Sequence, residues 1–140
     1  MKTLHRIIPY LKSRLPPFDV ITTCADLELF RPKDGPASAS GSSRPFTLGY
    51  VGSVGVWYLF DETLRCFQLL RERVPDARLL VFNRGEHGYI RERMAALNVS
   101  SEAVDIETAE YANVPSAMQQ MDAGVFFIKP LYSKIASAPT

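Results

Sequence analysis

Cysteine is almost absent from this chain: among 140 residues there are only Cys24 and Cys66, far apart and in no metal-like spacing. A disulfide framework needs more cysteines and zinc needs clustered ligands, so neither is expected. Both thiols read as reduced and partly buried, as in a cytoplasmic chain. Histidine is equally scarce, and His5 carries no functional signal. No apolar run is long enough to span a bilayer. Met1 to Leu15 is no secretory signal either, because His5, Arg6, Pro9, Lys12 and Arg14 interrupt its apolar stretch. Charge of one sign is missing too. The formal net charge is +1, so no overall field draws the chain to nucleic acid or to an anionic membrane. Arg71, Arg73, Arg84, Arg91 and Arg93 are scattered among acidic neighbours, which marks solvated helix faces rather than a phosphate-tracking stripe.

What remains is an ordinary globular composition with room for one compact domain and one core. Residues 31–45 are rich in Pro, Gly, Ser and Ala and read as a linker or long exposed loop. The chain therefore divides into a leading segment with linker, 1–45, and a domain over 46–140. Within the leading segment, Leu4, Ile8, Leu11 and Leu15 share a helical face that Pro9 would kink or start, and Phe18 to Thr23 reads as a strand.

Beyond the linker, short apolar runs alternate with segments of helical period. Phe46 to Val51 is a continuous apolar strand that runs straight into Gly52-Ser53-Val54-Gly55. A helix from about Tyr58 to Val74 lines up Phe60, Leu64, Phe67, Leu70 and Val74, with Asp61 and Arg65 spaced for a pair one turn apart. Arg78 to Phe82 is a second strand, and Asn83-Arg84-Gly85 is its turn. A helix from about Gly88 to Leu97 presents Ile90, Met94 and Leu97. A weaker strand follows near Ala103 to Glu107. Asn113 is placed to cap a short helix carrying Val114, Met118 and Met121. Ala123 to Ile128 reads as a third strong strand. Strands that are apolar on both faces need helices on both sides. The expected fold is therefore α/β: a partial doubly wound parallel sheet in a three-layer α/β/α arrangement.

In such a sheet, ligands bind beyond the carboxyl ends of the strands. Three loops qualify: Gly52 to Trp57, Asn83 to Gly88, and Lys129 to Thr140. Gly52 and Gly55 would let the backbone approach a phosphate ahead of a helix N-terminus, or they serve a tight turn that needs small residues. The run matches neither the dinucleotide fingerprint nor a P-loop. Arg84 faces the same crevice as a phosphate partner or a plain surface arginine. His87 reads as an exposed histidine with no partner evident in sequence. Trp57 would stack on a base or sugar, or simply pack. The tail from Ile128 leaves a buried strand with Lys129, Lys134 and several hydroxyl residues, a mixture suited to an anionic, oxygen-rich ligand.

Several stretches, in order, resemble the glycosyltransferase group 1 family of retaining GT-B enzymes. Val20 to Pro32 is similar to that family's strand, turn and "VDxxxFxP" segment. Leu48-Gly49-Tyr50-Val51-Gly52-Ser53 resembles its "xGYVGS" opening strand, and Ala77 to Phe82 its second strand. Tyr111 to Phe126 resembles "YxxVPxxMxxxDxGxxF". Ser133-Lys134 through Pro139-Thr140 resembles the loop leading to the helix with the donor-binding glutamate.

The resemblance implies that residues 1–45 are a partial interdomain segment and that 46–140 are an incomplete, Rossmann-like, nucleotide-sugar-binding half. It implies transfer of a sugar from a nucleotide-sugar donor to a hydroxyl acceptor, in cell-surface polysaccharide or glycolipid assembly, with no metal and no further cofactor. The acceptor would be held by an N-terminal domain missing from this chain, and peripheral membrane contact would belong to the full-length parent. Gly52, Ser53 and Gly55 would lie near the donor phosphates. Asn83, Arg84 and the stretch from Glu107 to Glu110 would border the nucleotide. Ser133, Lys134, Ser137 and Thr140 would lie near sugar and phosphates. No catalytic residue is assigned, because the family's histidine lies in the missing half.

Three departures accompany the resemblance. Many members carry an arginine after the first strand and a lysine just beyond, where this chain has Ser53 and no nearby lysine, so the diphosphate would turn to Arg84 or Lys134. Ile135-Ala136-Ser137 stands where a paired-glutamate motif often begins, with the second glutamate falling beyond Thr140, and the N-terminal half with its usual histidine is absent. The isolated chain is accordingly expected to be inactive. Two other readings stand beside this one. A non-catalytic nucleotide- or phosphate-binding module would use the Gly52–Gly55 turn. A receiver-like domain would need acidic residues at strand ends, where Gly52 and Asn83 stand instead. An unfinished sheet edge also predicts self-association.

Overall fold

The computed structural model describes residues 25–31 and 44–134. The helix expected around Leu4 to Leu15, the strand at Phe18 to Thr23, Cys24, most of the linker, Ser137 and Thr140 lie outside the described residues. The described part is a sheet of four parallel strands with helices between them. In chain order the elements are β1 (Thr47–Val51), α1 (Phe60–Arg73), β2 (Arg78–Asn83), α2 (His87–Ala96), β3 (Val104–Thr108), α3 (Val114–Met118) and β4 (Ala123–Gly124). Short 3₁₀ turns at Ser101–Ala103, Tyr111–Asn113 and Tyr132–Lys134 complete it. Spatial order is β3-β2-β1-β4, the α/β/α arrangement expected from the sequence.

Register explains the burial. Leu48 and Tyr50 of β1 lie beside Leu79 and Val81 of β2, which lie beside Val104 and Ile106 of β3. This face meets Phe60, Leu64 and Phe67 of α1 and Ile90 and Met94 of α2, and together they form the core. Each fully buried Leu or Phe of this set contributes roughly 1.5–3 kcal/mol. The opposite face carries Gly49, Leu80 and Phe82 and is covered more thinly. Met121 lies directly over Gly49, where a Cβ would fall 1.9 Å from its sulfur and 3.0 Å from its own Cβ.

Helix α1 forms where apolar residues recur at Phe60, Leu64 and Phe67. Asp61 and Glu62 in its first turn and Arg71 and Arg73 in its last complement the helix dipole. The expected pairing of Asp61 with Arg65 does not occur. Asp61 instead holds Arg93 of α2 through two bonds, of 2.8 and 2.5 Å, while Arg65 pairs with Glu62. The two-pronged guanidinium of Arg93 matches a carboxylate better than a pair along one helix does, and it fixes α1 against α2. That hydrogen bond, with the nearby cationic charge adding, holds the Asp61 carboxyl below its usual range against the opposing effect of burial. Across the sheet, Arg78 grips Asp105 of β3 in the same two-pronged way, at 2.7–2.9 Å.

Three further expectations are corrected. Asn113 does not cap α3 with its side chain; the Ser116 hydroxyl donates back to the Asn113 carbonyl at 2.8 Å. His87 is half-buried rather than exposed, and its Nε2 donates to the Asn83 carbonyl at 2.9 Å. The strand expected over Ala123 to Ile128 shrinks to Ala123–Gly124, paired with Leu48 and Gly49 of β1. One more bond follows, from Val125 N to the Gly49 carbonyl. The chain then leaves the sheet, and Ile128 forms an antiparallel bridge with Tyr58. The apolar run Val125 to Ile128 thus serves a loop ahead of α1 rather than a longer strand.

Two substitutions test this packing. Gly49→Ala is expected to cost about 1–3 kcal/mol in chemical denaturation, because Met121 must move from the sheet. Thr63→Val is expected to raise stability by about 1 kcal/mol, because the fully buried Thr63 hydroxyl has no hydrogen-bond partner.

Candidate functional site

The parallel sheet places all four carboxyl ends on one rim. Connections from β1 run toward β2 and β3, whereas β4 lies on the other side of β1, so the strand order reverses between β1 and β4. A crevice at this reversal is where doubly wound sheets bind ligands.

The β1–α1 loop forms one wall. Gly52 has a φ of +133°, a region that side-chain-bearing residues rarely adopt, and its N–H still bonds the Phe82 carbonyl at 3.0 Å. A Cβ there would meet nothing within 4 Å, so backbone conformation rather than space calls for this glycine. Gly55 differs: a Cβ there would fall 3.2 Å from Glu86 Oε1, so here the requirement is room. Val56 is exposed and sits at a φ of +53°, which is costly for a β-branched residue. Beneath the loop, the buried Tyr50 donates its hydroxyl to the Ser53 carbonyl and packs edge-on against Phe60, with ring centres 5.2 Å apart. Burial, with the neighbouring Tyr58 and Glu86 adding, holds the Tyr50 phenol well above its usual range.

The turn after β2 forms the second wall. Asn83, almost fully buried, binds in four directions. Its Nδ2 donates to the Gly52 carbonyl at 2.8 Å and to Glu86 Oε2 at 2.9 Å, and its Oδ1 accepts from the backbone N–H groups of Gly85 and Glu86. Glu86 then crosses to the first wall, where Oε2 accepts the Val54 N–H at 3.0 Å. Arg84 stands exposed on the same turn, with no hydrogen-bond partner among the described residues.

The segment after β4 closes the crevice. Leu59 N donates to the Phe127 carbonyl and Lys129 N to the Trp57 carbonyl, both at 2.9 Å. The chain turns at Tyr132–Lys134 and brings Lys134 Nζ to 4.9 Å from the centre of the half-exposed Trp57 ring. Gly52, Ser53, Gly55, Asn83 and Lys134 thus lie around one rim, with Arg84 at its side. Ser133 belongs to the turn that carries Lys134. Glu107 lies apart, at the end of β3. It borders an open cavity of about 400 Å³ together with Phe82, Thr108, Asn113, Ser116 and Gln120. On the α3 side, Gln119 Nε2 reaches the Arg31 carbonyl at 3.1 Å and ties residues 25–31 to this layer.

Glu86 was not singled out in the sequence, although Asn83-Arg84-Gly85-Glu86 has the spacing of a capping box. The reciprocal cap is not made, because the carboxylate reaches Val54, 32 residues away in sequence, instead of the start of its own helix. Among the described residues no cluster of three or more His, Cys, Asp or Glu side chains is placed to hold a metal ion. No helix among them is long and apolar enough to cross a membrane.

No protein-family model matches this chain, and neither the curated proteins nor the solved structures yield a match.

The Tyr50 environment sets an alkaline limit. Because the phenol's value is raised in the folded chain, its contribution is intact below the ordinary value of about 10 and is lost as pH rises beyond it. Thermal melts are expected to show stability falling above about pH 10, and Tyr50→Phe is expected to flatten that decline.

Proposed function

We propose that this chain is the donor-binding part of a nucleotide-sugar-dependent glycosyltransferase of the GT-B type. Its parent transfers a sugar to a hydroxyl acceptor in cell-surface polysaccharide or glycolipid synthesis. The observation that carries the reading is the approach of Lys134 to Trp57, which joins the segment after the last strand to the loop after the first. The ordered sequence stretches from Val20 to Thr140 supply the reaction class.

Each group then has a chemical task. Lys134 and Arg84 neutralise the diphosphate, whose charge grows as the glycosidic bond to the donor breaks. The exposed face of Trp57 offers an apolar platform for sugar or base. Glu107, with Thr108 beside it in the cavity wall, accepts hydrogen bonds from the nucleoside. The strained Val56 and the left-handed Gly52 hold the loop open toward the crevice. Orienting the acceptor hydroxyl falls to an N-terminal domain of the parent, so this piece binds donor without turning it over.

Isothermal titration with a panel of nucleoside diphosphates and their sugars tests the reading, with inorganic phosphate and NAD as controls. The expected result is a preference for one nucleoside diphosphate, weakened about tenfold by Lys134→Ala, a loss of roughly 1.4 kcal/mol. Equal response to phosphate or NAD would point to a general anion-binding module. No response from the folded full-length parent would end the donor reading.

A further inference from the structure

The first loop of this crevice already contains an anion, and it comes from the protein. Val54 is 1% exposed, so its N–H looks into the structure, and the group it meets is the Glu86 carboxylate. Oε2 takes a second donor from the buried Asn83 side chain, and Oε1 lies close enough to Gly55 that a Cβ there would crowd it at 3.2 Å. Loop, glycine and asparagine are all fitted to this side chain. A carboxylate and a phosphoryl oxygen ask for the same donors, and both carry negative charge.

We infer that Glu86 is an internal competitor: it occupies the Val54 amide that a phosphoryl ligand would use and repels such a ligand from the β1–α1 loop. The inference rests on the donor-binding reading in taking a phosphorylated ligand to enter this crevice. It adds a determinant of affinity within the site. Phosphoryl groups are therefore held on the Lys134 side of the crevice, and the loop amide becomes available only when Glu86 withdraws.

The sign of the effect makes it testable, because removing a group that contacts a site ordinarily weakens binding. Glu86→Ala vacates the Val54 amide and removes the charge, whereas Glu86→Gln removes the charge but keeps an oxygen that accepts from Val54 and Asn83. Backbone amide spectra of the wild-type chain and the variants are recorded during titration with inorganic phosphate, and affinities for a nucleoside diphosphate are measured by calorimetry. Binding in the Ala variant is expected to be about fivefold tighter or more, with the Val54 amide shifting on addition of phosphate. Should the Ala variant not fold, Glu86→Gln is expected to bind more tightly through the lost charge alone, without a Val54 shift, and Glu86→Asp, which retains the charge, is expected not to gain.

The outcomes separate the two readings. If the wild-type chain binds the diphosphate and the folded variant binds no more tightly, Glu86 is not a competitor and the donor reading stands. If only the variant responds, through Val54 and to inorganic phosphate alone, the competitor role stands and the donor reading falls. If neither chain responds to either probe, both fall.

Discussion

Strand β2 has water on neither face. Five of its six residues are buried, and its two neighbours use every backbone group it offers along the ladder. A strand in that position must be covered above and below, because an unpaired backbone group or an open apolar face would cost more than the fold can spare. From this follow the parallel order, the helices α1 and α2 on one face and the thinner cover of α3 and Met121 on the other. The burial that leaves the middle of β2 purely apolar also isolates its buried polar end, Asn83. A fully buried carboxamide has to satisfy all its hydrogen-bonding groups. It does so by drawing in Gly52, Gly85 and Glu86, and so the ends of β1 and β2 become one structure.

The rim is consequently organised by polar satisfaction, whereas the layers are organised by apolar burial. These two kinds of force leave different traces in a sequence. The apolar runs of β1 and β2 and the helical spacing of Phe60, Leu64 and Phe67 are local patterns, and they announced the strands, α1 and the α/β class directly. Gly52 was legible as a loop residue because it follows such a run, whereas Asn83, expected in the turn, is the last residue of β2 and pairs with Thr108. What joins them was not legible. The bond from Glu86 to Val54 depends on the register of β1 against β2, and no local pattern encodes that register. The same holds for Asp61, whose i+4 neighbour Arg65 looks like its partner until α2 delivers Arg93 with better geometry.

The segment from Val125 to Ile128 misleads for another reason. Its residues are as apolar as those of a central strand, and composition alone assigns them to the sheet. The structure uses only Ala123 and Gly124 there, because the following residues gain more by pairing with the loop between β1 and α1. Exposed Phe126 and Phe127 are the cost of that choice. Apolar character reports that a segment seeks cover; it does not say whether a sheet or a loop provides it.

The bridge between Tyr58 and Ile128 has a consequence for the order of events along the chain. The loop after β1 lies far ahead of residues 127–129 in the sequence, yet its backbone bonds are completed by them. Closing so long a separation carries a large entropic cost, which is met only after the sheet has brought the two ends near each other. The crevice is therefore a late-maturing feature, and reopening it needs only the short segment beyond Gly124 to lift away. In hydrogen-exchange terms, the amides of Leu59 and Lys129 are expected to be less protected than those of β2.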